Sequence, residues 1–132
     1  MLSTILFTGS YVITQTVSST IKASIITIKW LQSMGETPFL YELEELDLIP
    51  LLTTIDEYLK TKDVRITILK FVQETTLKIH KSLEDIELEL KEHKLRYFHS
   101  WRSPNTEEHM VKIRVYEKQL RKRWGLYLQI YK

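Results

Sequence analysis

Ten residues spaced by three or four, alternating as far as Tyr97, constrain this chain more than any other feature: Leu69, Val72, Thr76, Ile79, Leu83, Ile86, Leu90, His93, Tyr97 and Trp101. A 3.5-residue apolar period sustained over that length is the mark of a long helix that presents one seam to a neighbour, and a strand has no use for it. Such a seam favours packing at about 20° to adjacent helices, the geometry of bundles. Charges such as Glu84, Glu87 and Lys91 fall between the seam positions and form pairs along the exposed side. Asp63 is the expected cap at the start of this helix, and Pro104 sets its end near residues 100–103, because the residue before a proline avoids helical geometry.

The residues on either side extend the helical reading. With only three glycines and three prolines in 132 residues, the chain has too few turn formers for a sandwich or a loop-rich fold. Its 43% hydrophobic and 27% charged fractions are those of a globular domain. A length of 132 residues fits one helical domain over 1–132. There is no cysteine, which excludes a disulfide scaffold, a cysteine zinc site and a thiol enzyme.

From Leu2 to Ile21 there is no charge, but nine of those twenty residues are Ser or Thr and Lys22 closes the run. No Lys or Arg precedes it to make a signal-peptide start. The β-branched content favours strand, yet the turn-free stretch from Tyr11 to Met34 is far too long for one. Length decides for a helix over 2–31 with an apolar stripe of Leu2, Leu6, Gly9, Ile13, Val17, Ile21, Ile25, Ile28 and Leu31, opposite Ser18, Lys22 and Lys29. Its low intrinsic helicity requires support from packing or from a bilayer.

Gly35 and Pro38 end that helix. The acidic stretch from Phe39 to Pro50 then allows one or two short helical turns, with Asp47 as a cap and Pro50 in the first turn of the next helix. That helix buries Leu51, Leu52, Ile55, Tyr58 and Leu59 and turns Asp56, Glu57 and Lys60 to water. A last helix begins at Asn105 or Thr106, with Glu107 and Glu108 complementing its positive end. It carries a stripe of Met110, Ile113, Leu120, Trp124, Tyr127 and Tyr131 and runs through Gly125. The short link makes the last two long helices an antiparallel hairpin. The expected fold is therefore all-α, a four-helix-type bundle with a long N-terminal helix and a C-terminal antiparallel helical hairpin.

Charge is distributed unevenly: residues 1–35 carry +2, residues 36–63 carry −6 and the remainder +6, for a net +2. Arg114, Lys118, Arg121 and Lys122 share one side of the last helix. The expected use of that side is to pair with Glu42, Glu44, Glu45 and Asp47 in the same or another copy, with anionic lipid and nucleic acid as the other readings. Nucleic acid is disfavoured because the sequence pI of 8.7 is below that of a basic binding domain.

No Gly-rich phosphate loop, His-Glu-x-x-His, Gly-x-Ser-x-Gly or acidic calcium loop occurs, and no catalytic role is expected. His80, His93, His99 and His109 lack ligand spacing, so no metal or other cofactor is expected. Tyr97, Phe98 and Trp101, beside Arg96 and Arg102, crowd the corner between the last two helices. Packing at the hairpin end accounts for them, and an interface centred on Tyr97, Phe98, Trp101 and Arg102 is the functional alternative.

The same corner, "HKLRYFHSWRSPN" over His93 to Asn105 behind a Leu/Ile heptad, resembles the corner of small uncharacterised helical proteins of large DNA viruses. The match covers about a tenth of the chain. The resemblance implies a virus-encoded helical protein, a virion component, and carries over no catalytic residue. The expected function is a non-catalytic interaction or structural protein whose partner is a protein or a second copy. The alternative is a membrane-active module that uses residues 2–31.

Overall fold

The computed structural model describes residues 2–34, 38–96 and 106–130, with side chains described for 11–34, 40–92 and 106–130. It has five helices and no strand among these residues: α1 (Leu2–Gln32), α2 (Pro38–Glu45), α3 (Leu48–Thr61), α4 (Ile66–Arg96) and α5 (Glu107–Ile130). Four of them form the bundle expected from the sequence, and α2 is a short connector that lies against α5.

The α4 seam is buried as its period requires. Leu69, Val72, Thr76, Ile79, Leu83, Ile86 and Leu90 all lie in the core, while the side chains of His93, Tyr97 and Trp101 lie outside the described residues. Three contacts fix the register of the hairpin. Arg123 stacks over Phe71 at 4.4 Å, Lys78 lies over Tyr116 at 5.7 Å, and His109 is 4.0 Å from Asp85. Each step of seven residues up α4 is a step of seven down α5, so the two helices are antiparallel and in heptad register.

On its other side α4 packs broadly against α1. Lys91 lies 5.1 Å over the Trp30 ring near the ends of both helices, and Thr14, earlier in α1, shares a pocket with Leu69 near the start of α4, so α1 and α4 are parallel. Ile28 lies beside Leu48, and Thr14 beside Leu59, which makes α3 antiparallel to α1. Direction therefore alternates through α1, α3, α4 and α5.

The hydroxyl-rich sequence of α1 is explained by this packing. Val17, Ile21, Ile28 and Leu31 are buried with Thr20, Ser24 and Thr27, and small side chains let a second helix approach closely. Thr27 Oγ1 donates to the Ala23 carbonyl at 3.1 Å, and Thr76 Oγ1 to the Val72 carbonyl at 2.7 Å, so these hydroxyls are satisfied within their own helices. Ser18 is buried too, whereas the stripe read from sequence sets it opposite the core. Polarity alone therefore misplaces it.

Two further expectations need correction. Asp56 is buried, and its Oδ2 pairs with Lys60 at 3.1 Å, where the sequence turns it to water. Asp63 does not cap α4: the helix begins at Ile66, and the Arg65 carbonyl accepts the Leu69 N–H at 3.0 Å. Asp47 does precede α3, but it sits in the left-handed region at φ 53°, ψ 45° and its side chain makes no capping bond. Pro50 falls in the first turn of α3, where its missing N–H is no loss. Gly125 leaves α5 unbroken to Ile130.

Candidate interaction surface

The candidate surface is built on α5. Thr106 precedes the helix and its carbonyl accepts the Met110 N–H at 3.0 Å, while Glu107 and Glu108 occupy the first turn, where the helix dipole favours acids. The inner face, Met110, Ile113, Glu117, Leu120, Trp124 and Tyr127, is buried at heptad spacing. Trp124 meets Tyr58 of α3 edge-on at 5.2 Å, and Tyr58 also lies edge-on to Tyr127 at 6.4 Å, so edge-to-face rings close the contact between α3 and α5.

Of the four cations assigned to one basic side, two are occupied inside the molecule. Arg114 forms an ion pair with Glu42 of α2 and another with Glu107 at 3.1 Å. Arg121 pairs with the buried Glu117 and donates to the carbonyl oxygens of Leu46 at 2.8 Å and Asp47 at 3.3 Å. Lys118 and Lys122 are exposed and make no ion pair among the described residues. The basic side is thus divided: its arginines hold the α2–α3 corner, and its lysines face outward.

The expected pairing of acidic middle with basic end occurs in part as the sequence suggests and in part through other atoms. Glu42 takes Arg114, but Asp47 contributes its backbone carbonyl, and Glu44 and Glu45 remain exposed without an ion pair among the described residues. Glu117, part of no sequence expectation, is buried beside Arg121. Its place on the inner stripe between Ile113 and Leu120 was the available signal.

Val111 and Val115 were also missed, and they are 44% and 47% exposed. Together with Leu46, Arg114, Glu117 and Lys118 they line an open groove of about 300 Å³ between α5 and the end of α2. Exposed valines four residues apart on a helix are a sequence signal in themselves, because valine is a poor helix former and these two lie off the core stripe.

The other candidate residues, Tyr97, Phe98, Trp101 and Arg102, lie outside the described residues. Of the histidines, His80 Nε2 pairs with Glu84 at 2.5 Å and His109 faces Asp85. Among the described residues no cluster of three metal-ligating side chains occurs, and no helix is long and apolar enough to cross a membrane.

Compared with protein-family models, with curated proteins and with solved structures, the chain has no match.

Proposed function

We propose that this chain is a non-catalytic helical interaction protein that docks a protein partner through the outer face of α5 and the adjoining end of α2. One observation carries the reading: two exposed valines lie in line with two lysines that have no ion-pair partner among the described residues, beside an apolar groove. A mixed surface of this kind, apolar at its centre and charged at its rim, has the composition of a protein–protein contact. The finer form of the reading, a component of a viral assembly, rests on the His93–Asn105 motif alone.

A phosphate backbone fits the same face less well. Arg114 and Arg121 are held by acids and carbonyls, which leaves few cations to displace counterions. The membrane alternative relies on an uncharged N-terminal helix, and from Val17 onward the apolar side of α1 is covered by the bundle.

Photo-crosslinking tests the proposal. A benzophenone side chain placed at Val115 should give discrete protein adducts in the cells that make this chain, and one placed at exposed Leu88 on α4 should not. Equal yield at the two positions, or none at Val115, would overturn it. Liposome flotation of the intact chain should find it in the unbound fraction.

A further inference from the structure

The outer face of α5 has an order that selects its partner. Glu108, Val111, Val115, Lys118 and Lys122 are spaced by three, four, three and four, and all five are exposed. On a helix this spacing draws a second stripe, on the side opposite the buried stripe from Met110 to Tyr127. α5 therefore has two seams of coiled-coil period, and among the described residues only the inner one is filled.

Charge changes sign along the outer seam. Its acid stands at the N-terminal end, its two lysines at the C-terminal end, and valine occupies the centre. A stripe ordered in this way is complementary to itself when reversed. If a second α5 is laid antiparallel with Val115 on the two-fold axis, each Glu108 stands opposite the other copy's Lys122. Val115 meets Val115, and each Val111 lies along the aliphatic stem of a Lys118. The parallel arrangement fails, because it sets acid against acid and lysine against lysine.

Resting on the docking role of α5 given above, we propose that its partner is a second copy of this chain, joined through an antiparallel two-fold α5–α5 seam centred on Val115. Among the described residues, Glu108 has one ion-pair contact, exposed and 3.7 Å long, to Lys112 of its own helix, and Lys122 has none. Both ends of the seam are thus available for an intermolecular pair. The seam from Glu108 to Lys122 is about 21 Å long, roughly four turns of helix. The groove beside Leu46 lets α2 extend the contact on one flank.

Sedimentation equilibrium of the full chain, read with charge reversals, tests this. The parent chain should be a dimer. Glu108→Lys and Lys122→Glu each set like charges together at both ends of the seam and should each raise the dissociation constant about tenfold or more. Mixed in equal amounts, the two variant chains should form a dimer of one copy of each, with affinity near that of the parent, because every end pair is then opposite in sign. Native mass spectrometry identifies that mixed species, and circular dichroism confirms that each variant is folded. A parent chain that stays monomeric, a dimer indifferent to both reversals, or a mixture that associates no better than its components would overturn the inference. If the parent is monomeric but Val115 still crosslinks to a different protein, the docking role stands and the second copy is excluded as its partner.

Discussion

The guanidinium of Arg121 donates to the backbone carbonyl of Leu46 at 2.8 Å, across a sequence separation of 75 residues. Leu46 follows the last residue of α2, where helical carbonyls have no acceptor role left within their own helix. Arg121 also reaches the Asp47 carbonyl at 3.3 Å and pairs with Glu117, so one side chain ties the corner between α2 and α3 to α5. A planar fork with several donors suits this task, and a lysine cannot reproduce it. Arg121→Ala should therefore cost about 1 to 2 kcal/mol in chemical denaturation, with part of the loss arising from the buried Glu117 left without its partner. Arg121→Lys should recover less than the full amount. Equal stability of all three proteins would show that the corner is held by packing alone.

The α4 seam predicts a larger effect. Leu83 is fully buried at the middle of the helix that contacts both α1 and α5. Leu83→Ala should destabilise the fold by about 2 to 5 kcal/mol in urea unfolding. A change under about half a kcal/mol would mean that the core does not run along this seam.

Backbone conformation gives the third expectation. Asp47 has φ 53°, the one positive φ among non-glycine residues described here. Aspartate visits that region more readily than most residues because its side chain is short and polar, whereas a β-branched residue is strained there. Asp47→Val should cost about 1 to 2 kcal/mol, whereas Asp47→Gly should be close to neutral. Thermal unfolding of the two variants distinguishes a strained corner from a contact made by the carboxylate, in which case both would be damaging alike.

Gly125 supplies a prediction of opposite sign. It lies inside α5, and a methyl group added there would meet nothing within 4 Å beyond its chain neighbours and the backbone of its own turns of helix. Gly125→Ala should raise stability by about 0.5 to 1 kcal/mol, through the entropy that glycine loses on entering a helix. A loss of stability in the same assay would place an unseen packing constraint at this position.

These cases mark how far the sequence carries. The heptad of α4 names its buried residues because a seam seven residues deep repeats one instruction many times, and the length of α1 outweighs its β-branched content for the same reason. Ser18 and Asp56 were not legible, since a polar side chain reads as exposed, whereas the burial of Glu117 was marked by its place on the inner stripe between Ile113 and Leu120. The opposite regional charges foreshadowed Glu42 with Arg114. They offered no hint that Arg121 would bind a carbonyl of the acidic segment in place of its carboxylates, because backbone acceptors carry no mark in the sequence. Val111 and Val115 are interleaved with the cations of α5, so the charge pattern of that side masks its apolar residues.

The most direct test of the docking face is a dilution series read at the valine methyl groups. Among the six valines, Val111 and Val115 lie on the outer seam of α5, Val12 is exposed on α1, and Val17 and Val72 are buried in the core. With only valine methyls labelled, carbon–proton spectra should show the Val111 and Val115 signals moving or broadening as chain concentration rises, while Val12, Val17 and Val72 stay fixed. Signals of Val111 and Val115 that do not change with concentration, or that change no more than that of Val12, would contradict the assignment of α5 as the face that joins two copies.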